Sequence, residues 1–324
     1  ASISPGGEGF KISTPDATII DLGTEVCVHS GLQKTEVHVT KGKVLSKGSD
    51  RQIELSANQA VSYENGIEKR MAAQPEKFVR QLPGKSNQQP NYIHWSFDRI
   101  DSNKVLSTSV GLPSVTTQIH SNPQFSKAVF GNGISFDGKD DFLTSDFPGI
   151  SGDSPRTVTM WVKIPAKTDK ENAISMLAWG SYAGAGATFQ ISWNWEKKDG
   201  KVGALRVGLY HGQIIDNQDL RDNTWHHIAV VTYGGQEADV STHILLYVDG
   251  QLRRTTNKSV LKIQTDTANR QAIPVIMGRD AKNYIDKNAP KTFKGSLDEV
   301  YMFDSALSGR QIRSLMNNNK LPAQ

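Results

Sequence analysis

The stretch Phe189-Gln-Ile-Ser-Trp-Asn-Trp195 alternates large apolar residues with polar ones at every step. The next run of similar character, Ala204-Leu-Arg-Val-Gly-Leu-Tyr210, places Leu205, Val207 and Leu209 on one side. Successive side chains of an extended strand point to opposite faces, so each run has one face for a core and one that is polar. The two runs together predict neighbouring strands of a sheet that packs on one side.

Many short strands of this kind fill the chain from Tyr92 onward. They are YIHWSFD, GISFDG, FLTSDF, TVTMWVKIP, ISMLAWG, TFQISWNWE, ALRVGLYHG, HHIAVVTYG, HILLYVDGQL, PVIMGRD and LDEVYMFD. Because they do not alternate with long helices, they predict a two-sheet sandwich or jelly roll. One short C-terminal helix is expected after Ser308-Gly-Arg-Gln311, which has capping-box spacing.

A smaller group of short strands, with Gly, Pro and Asn turns between them, occupies residues 10 to 70. The polar run QLPGKSNQQPN, residues 81–91, has almost nothing to bury and is expected to be a linker. The predicted organisation is therefore all-β. A small β domain (1–80) and a linker (81–91) precede a large jelly roll (92–324).

Composition limits the possible partners. The chain has 324 residues and a formal net charge of +4, with 10 basic and 10 acidic residues before Pro83 and 27 and 23 from there on. Neither part is strongly basic, so nucleic acid is not expected as a partner.

Cys27 is the single cysteine, which excludes an internal disulfide and a thiolate metal cluster. Cys27 is expected to be a small buried residue, with a reactive thiol as the alternative.

A series of short motifs marks residues 8 to 70. In chain order they are Ile12-Ser-Thr-Pro15, Leu22-Gly23-Thr24, Thr35-Glu-Val-His-Val39, Gly42-Lys-Val44 and Leu55-Ser-Ala-Asn-Gln59. Their order resembles the FecR-type domain of extracytoplasmic sensors and anti-sigma regulators. Members of that family usually carry a cytoplasmic segment and a membrane helix before this domain. The resemblance therefore implies the outer part of a membrane-anchored sensor.

A second series of motifs spans about 90 to 320. Its members are His94-Trp-Ser-Phe-Asp98, Gly133-Ile-Ser-Phe-Asp-Gly138, Val158-Thr-Met-Trp-Val162, Trp225-His-His-Ile-Ala229, Leu246-Tyr-Val-Asp-Gly250 and Phe293-Lys-Gly-Ser-Leu-Asp-Glu-Val300. In this order they resemble a laminin-G-like, concanavalin A-like jelly roll. The resemblance implies a domain that binds glycans or proteins, often with a calcium ion. Some relatives of this architecture are glycosidases or lyases, so the fold does not decide the function.

An enzyme on this fold needs paired carboxylates on one strand face. No strand carries a Glu-x-Asp-x-Glu pattern, and the adjacent Asp298 and Glu299 are expected on opposite faces. The neighbours His226 and His227 are expected to be structural, because adjacent strand residues do not easily bind one ion together. We therefore expect no catalytic residues and no enzymatic activity.

Ligand contact is expected on the polar face of the two alternating runs, the concave sheet of a jelly roll. The predicted contact residues are Gln190, Asn194, Arg206, Tyr210, Tyr182 and Trp195. Amides, an arginine and aromatic rings suit sugar hydroxyls or acidic sugars. A solvated sheet face without a ligand is the alternative.

Calcium is the one cofactor that the jelly-roll resemblance implies, with Asp137 and Asp298 as its positions. Calcium prefers several hard oxygen ligands and tolerates loop geometry. The alternative is that Asp137 and Asp249 only form turns before the glycines that follow them.

The expected protein is a non-catalytic, bacterial periplasmic or extracellular binder. Its jelly roll binds a glycan, polysaccharide or surface protein, and its FecR-like domain contacts a membrane regulator. A structural or adhesion protein is the first alternative, and concentration-dependent oligomers without ligand binding would favour it. A polysaccharide-cleaving enzyme is the less favoured alternative.

Overall fold

The computed structural model describes residues 11–21, 25–31, 34–48, 51–74, 89–166, 168, 175–235, 238–285 and 292–322. The chain divides into two compact units, residues 1–81 and residues 82–324. Both consist mainly of β-strands, which confirms the predicted all-β class. The predicted linker, residues 81–91, lies outside the described residues except for its last three positions.

The first unit is a small sandwich of antiparallel sheets. Its strands are β1 (Lys11–Ser13), β2 (Thr18–Asp21), β3 (Glu25–Ser30), β4 (Lys34–Lys41), β5 (Lys43–Lys47), β6 (Gln52–Ser56), β7 (Gln59–Glu64) and β8 (Ile67–Ala72). The two four-stranded sheets have the orders β1-β2-β5-β6 and β3-β4-β7-β8. Val44 and Leu55 of one sheet share a buried cluster with Val26, Val37 and Val61 of the other. The apolar alternation of these short strands therefore supplies the core.

The other face of β4 is also buried. Glu36 and His38 lie there, and Lys34 forms an ion pair with Glu36 at 2.8 Å. Hydrogen bonds from His38 and Lys34 lower the pKa of Glu36 to about 2, against the opposing effect of burial. Cys27 lies opposite His38 in the ladder and is buried, as the sequence predicted. This face is therefore part of the folded interior of the unit.

The second unit has nineteen strands among its described residues. They are β9 (Tyr92–Trp95), β10 (Ile100–Asp101), β11 (Lys104–Leu106), β12 (Thr108–Val110), β13 (Thr116–His120), β14 (Gln124–Lys127), β15 (Asn132–Asp137), β16 (Phe142–Ser145), β17 (Arg156–Lys163), β18 (Ser175–Gly180), β19 (Thr188–Trp193), β20 (Ala204–Leu209), β21 (Gly212–Asp219), β22 (Trp225–Thr232), β23 (Ile244–Val248), β24 (Gln251–Leu252), β25 (Asn257–Lys258), β26 (Ile273–Met277) and β27 (Lys294–Phe303).

These strands form two large antiparallel sheets. The ten-stranded sheet has the order β10-β11-β13-β16-β26-β18-β19-β20-β21-β25. The nine-stranded sheet has the order β12-β9-β27-β17-β22-β23-β24, with β14 and β15 joined to it through β27. Apolar residues of both sheets belong to one buried cluster, as expected for a jelly-roll sandwich. The two-sheet prediction is confirmed.

In the runs Phe189–Trp195 and Ala204–Tyr210, the apolar residues face the core as predicted. Phe189, Ile191 and Trp193 of β19 are buried in the core, as are Leu205 and Val207 of β20. The polar residues between them consequently lie on the outer face of the ten-stranded sheet, which is the face directed away from the core.

Three short helices accompany the sheets: α1 (Val240–His243), α2 (Ala281–Ile285) and α3 (Gly309–Asn318). The predicted capping box is present, because Ser308 accepts from the Gln311 amide while the Gln311 side chain accepts from the Ser308 amide. The hydroxyl of Tyr301 donates to Oδ1 of Asn319 at 3.0 Å, which fixes the end of α3 on the nine-stranded sheet. None of the described helices combines the length and apolar character that a membrane crossing requires.

Arg156, at the start of β17, fixes one end of the sandwich from inside. It is fully buried, and its Cζ lies 5.9 and 5.3 Å from the centres of the Trp179 and Phe189 rings, which stack on each other. Its guanidinium donates at 2.6–3.0 Å to three carbonyls and one hydroxyl, those of Ile150, Gly152, Ser154 and Thr265. Burial lowers the pKa of Arg156 to about 10, so it stays charged at neutral pH.

Candidate functional site

The outer face of the ten-stranded sheet carries two neighbouring rows of mostly polar residues. Read across β19, β20 and β21, the rows are Ser192, Arg206, Ile215 and Gln190, Gly208, Gln213. The strands are consecutive and antiparallel, so the β19–β20 loop lies at one end of them, while the β18–β19 loop and the β20–β21 turn lie at the other end. This geometry brings loop residues close to Arg206.

Four of the predicted contact residues lie together around Arg206. The Cζ of Arg206 is 4.9 Å from the centre of the Trp195 ring, and its Nε donates to Oε1 of Gln213 at 2.8 Å. The rings of Tyr182 and Tyr210 meet edge to face at 5.1 Å. We call Tyr182, Trp195, Arg206, Tyr210 and Gln213 the Arg206 cluster. Each member is partly exposed, so the cluster can be reached from solvent.

Local backbone contacts position the aromatic members. Trp195 directly follows β19, and Tyr210 lies in the tight turn between β20 and β21. The amide of Gly186 donates to the carbonyl of Tyr210 at 2.8 Å, which ties the glycine-rich loop of Tyr182 to this turn. The absence of a side chain at Gly208 also matters, since a Cβ there would lie 2.8 Å from Nη1 of Arg206. The glycine thus leaves room for the guanidinium.

Burial dominates the electrostatics of the cluster. It raises the pKa of Tyr182 to about 12, although the nearby Arg206 charge acts in the opposite direction. Burial also lowers the pKa of Arg206, against the effect of surrounding carboxylates. At neutral pH the cluster therefore offers the neutral phenol of Tyr182 beside one positive charge.

Gln190 and Asn194 do not have the predicted role. Both lie on the predicted face, but they are only 8% and 0% exposed. Gln190 accepts from the Ala281 amide at the start of α2, at 3.2 Å. Asn194 donates to the carbonyls of Glu196 and Lys201 and so fixes the loop that follows β19. The prediction of exposed amides is wrong because a helix and a loop cover these two positions.

The predicted metal position Asp137 lies in an acidic turn. One carboxylate oxygen each from Asp137, Asp140 and Asp141 lies within 4.8 Å of the others. Asp141 is buried and accepts from the amides of Asn122 and Asp137, at 3.0 and 3.1 Å, which closes the turn. A cavity of about 590 Å³ adjoins the three carboxylates. These hard oxygens form a suitable donor set for a divalent cation.

Asp298 does not join this turn. In the β15–β27 ladder Asp137 pairs with Lys294. Asp298 lies four residues further along β27, which is roughly 13 Å from Lys294 because a strand rises about 3.3 Å per residue. Its Oδ2 accepts from the amides of Val129 and Phe130, at 3.0 and 2.9 Å. Burial raises the pKa of Asp298 to about 7. Asp298 therefore holds the turn between β14 and β15.

Asp298 and Glu299 form a β-bulge in β27. Asp298 pairs with Trp161 and Tyr301 with Thr159, so β27 carries one extra residue at this point. Glu299 has φ 49°, and both flanking residues, Leu297 and Val300, belong to the core. The two acids therefore do not alternate, and the expectation of opposite faces is wrong. Both are buried, and Glu299 pairs with His94, so a polymer cannot reach them.

His226 and His227 have separate surroundings. His226 contacts Asp249 at 2.8 Å and Asp222 at 3.1 Å, and the hydrogen bond that its ring donates to Asp249 is the main reason that its pKa is raised. His227 packs against Trp161, and burial lowers its pKa to about 4. Asp249 accepts from the ring of His226 at 2.8 Å and from the backbone amide of His227 at 2.9 Å, but the two rings have different neighbours, in agreement with a structural role.

A second cavity, of about 380 Å³, lies at the end of the sandwich where the segment held by Arg156 meets residues 262–266. Its walls combine Asp153, Lys262 and Asp266 with backbone atoms. Neither cavity includes a member of the Arg206 cluster, which is an open surface. The acidic turn and the Arg206 cluster are therefore separate candidate sites.

Sequence reasoning missed three residues at these sites. Gln213 begins the strand opposite Gly208, and only the pairing register shows that it reaches Arg206. Asp140 and Asp141 are the other two, since the metal position predicted from the sequence included only Asp137 of this turn. Their spacing from Asp137 within Asp-Gly-Lys-Asp-Asp was a usable signal, since acids in one tight turn converge.

Solved structures of three other proteins are similar to part of this chain at low sequence identity. Domain 4 of AbnA, a GH43 extracellular arabinanase from Geobacillus stearothermophilus, in complex with arabinotriose, is 15% identical with a TM-score of 0.48, covering 70% of this chain and 99% of that one. The binding domain of Paraclostridial Mosquitocidal Protein 1 is 14% identical with a TM-score of 0.48, covering 71% and 52%. The Botulinum Neurotoxin Type G receptor binding domain is 11% identical with a TM-score of 0.46, and the match covers 70% of this chain and 50% of that one. This chain therefore spans about half the length of either toxin domain.

No curated protein matches the chain. Residues 136–313, more than half of its length, match a laminin-G-type family described as the concanavalin A-like lectin/glucanases superfamily. The matched range extends from the end of β15 into α3 and includes most strands of both large sheets, the Arg206 cluster and the acidic turn. With two antiparallel sheets around one core, the second unit of this chain belongs to the concanavalin A-like lectin/glucanases superfamily.

Proposed function

We propose that the second unit binds a glycan at the Arg206 cluster and does not cleave it. The observation that carries this proposal is the grouping of two tyrosines, a tryptophan, an arginine and an amide on an accessible sheet face. Aromatic rings pack against the apolar faces of sugars, while the arginine and amide bond their hydroxyls.

The absence of a suitable carboxylate pair supports a binding role. In the two described rows around Arg206, the strand positions carry serine, isoleucine, glutamine and glycine but no acid. Hydrolysis of a glycosidic bond needs two carboxyl groups on either side of it, about 5–9.5 Å apart. The adjacent acids of β27 are buried and cannot serve.

Glycan binding at the cluster is tested by a glycan array followed by calorimetry on the best binder. Tyr210→Ala should weaken the affinity about ten-fold, because it removes a ring from the cluster. Trp161→Ala is the matched control, since Trp161 is a partly exposed ring on the nine-stranded sheet and should leave the affinity unchanged. No glycan bound on the array, or equal affinity in the Tyr210 variant, would place the function elsewhere.

We also propose that the acidic turn binds calcium. The donor set fits, because Asp137 and Asp140 are exposed and their oxygens approach those of Asp141. Lys139 lies 3.8 Å from Asp137 and would have to swing away, which an exposed lysine does easily. Asp298 is assigned no part in this site, since it lies four ladder positions from Lys294, the residue that pairs with Asp137, roughly 13 Å away.

Calcium binding should be measurable by calorimetry and as a rise in melting temperature. Asp140→Asn should weaken calcium binding at least about ten-fold, because it removes one of the three negative charges. Asp101→Asn, at an exposed acid in β10, should have no effect. If calcium neither releases heat nor stabilises the wild-type chain, the acidic turn is a structural turn only.

For the first unit we propose the role of a FecR-type domain in the bacterial periplasm or outside the cell. It would transmit ligand binding to a membrane regulator. The support is the motif order in residues 8 to 70 together with the exposed edge strand β8, to which a partner can add a strand. Ile67 at its start is 70% exposed.

Site-specific photo-crosslinking in cells of the source bacterium tests this role. A crosslinking residue at Ile67 should give one adduct with a membrane protein. The same residue at Val260, which is 86% exposed in the second unit, should give none. Adducts at both positions, or at neither, would contradict a specific regulator contact through β8.

A further inference from the structure

The guanidinium of Arg206 is held in one orientation by its surroundings. The Trp195 ring lies 4.9 Å from its Cζ, and Gln213 accepts from its Nε at 2.8 Å. The backbone of Gly208 lies so close that a Cβ there would fall 2.8–3.3 Å from Nη1, Cζ and Nη2. The fork of terminal nitrogens is therefore preorganised.

The terminal nitrogens of Arg206 differ from those of other buried or half-buried arginines. Nη1 and Nη2 of Arg156 donate to three acceptors, and Nη2 of Arg221 donates to Asp219 at 2.8 Å. Across the described ranges, Arg206 makes one hydrogen bond, through Nε, and has no ion pair within 4.0 Å. Its two terminal nitrogens keep up to four donors for another molecule.

The described acidic residues near Arg206 do not form an ion pair with its terminal nitrogens. Asp199, Asp280 and Glu196 raise the pKa of Arg206 through space, but burial has the larger effect and lowers it. Glu196 is paired with Lys198 at 2.6 Å, and Asp280 accepts from the Ser175 amide at 2.9 Å. A mostly buried cation without a bonded carboxylate is unfavourable, and an anionic ligand would relieve the cost.

We propose that the Arg206 cluster selects glycans that contain a uronic acid, with Nη1 and Nη2 of Arg206 donating to the two oxygens of its carboxylate. A carboxylate matches the planar fork in a bidentate arrangement, and no neutral sugar does. Tyr182 and Tyr210 then contact the sugar ring beside it. This inference rests on the proposed glycan binding and adds the chemical class of the ligand.

The test compares ligands that differ only in charge. Calorimetry with trigalacturonate, trimannuronate and their methyl esters keeps the sugar chain and removes the negative charge. EDTA in the buffer excludes calcium bound at the acidic turn. At least one free acid should bind about ten- to hundred-fold more tightly than its ester, as expected for hydrogen bonds to a charged group.

Variants of Arg206 locate the effect. Arg206→Gln should abolish the difference in affinity between the free acid and its ester, because it removes both the charge and the fork. Arg206→Lys should retain part of that difference, because it keeps the charge without the fork. Tryptophan fluorescence and the melting temperature check that both variants are folded.

The outcomes separate this inference from the proposal on which it depends. If esters or neutral oligosaccharides such as arabinotriose bind as well as the acids, uronic acid selection is wrong and glycan binding stands. Tighter binding of a sulfated oligosaccharide without carboxylates also overturns the inference. If no oligosaccharide of the panel or the array binds, both proposals fall.

Discussion

Arg156→Ala is expected to lower the free energy of unfolding of the second unit by about 3–5 kcal/mol. The change leaves three buried carbonyls and the Thr265 hydroxyl without their donor and opens a cavity beside the stacked rings of Trp179 and Phe189. Each unsatisfied buried group alone costs about 1–3 kcal/mol. Urea denaturation followed by tryptophan fluorescence measures the effect, because all six tryptophans belong to the second unit.

Two further variants test whether the hydrogen bonds of the Arg156 guanidinium cause the loss of stability. Arg156→Lys should give an intermediate loss, because one ammonium group cannot reach four acceptors spread along the chain. Arg310→Ala, at an exposed position of α3, should change the stability by less than about 0.5 kcal/mol. Wild-type stability in Arg156→Ala would mean that the segment 150–154 is held by other contacts.

The second large effect concerns Asp298 and depends on pH. This carboxyl has a pKa of about 7 in the folded chain against 3.8 as its ordinary value. Between those values the folded state binds more protons than the unfolded state, so stability falls as pH rises through this window. With about 1.4 kcal/mol per pKa unit, the expected loss is about 1–4 kcal/mol between pH 4 and pH 8.

Asp298→Asn and Asp298→Ala should act in opposite directions at pH 8. The asparagine oxygen can still accept from Val129 and Phe130 without a buried charge, so stability should equal or exceed that of the wild type. Alanine leaves both amides without an acceptor and should cost about 1–3 kcal/mol or more.

Denaturation series at several pH values test both statements. Other groups titrate in the same range, notably His226 and His227, so the informative quantity is the difference between wild type and Asp298→Asn. That difference should disappear toward pH 4, where the folded wild-type carboxyl is protonated. A constant difference at all pH values would show that Asp298 does not ionise within this window.

Much of the fold followed from local patterns. The alternation in Phe189–Trp195 predicted which side chains face the core, because successive side chains of a strand point to opposite faces of the sheet. The capping box at Ser308 predicted the start of α3, because the bonds involved span only three residues. The FecR-like role of the first unit stays a prediction that rests on motif order.

The candidate site followed from the sequence only in part. Arg206 contacts Trp195 and Tyr182 contacts Tyr210, since the loops at both ends of these strands carry aromatic rings toward the same face. Gln190 lies on that face but accepts from Ala281, which is 91 residues away in the chain. No local pattern records such coverage, because it depends on where a distant segment folds back.

The sequence by itself determined the strands, their inner faces and the family to which the jelly roll belongs. Only the tertiary structure decided what lies beside each outer face. It buried Asn194 under a loop, placed Asp298 away from the acidic turn with its oxygen bonded to two amides, and left the terminal nitrogens of Arg206 for a ligand. Periodicity is a local property of the chain, whereas register, bulges and coverage depend on contacts between residues far apart in sequence.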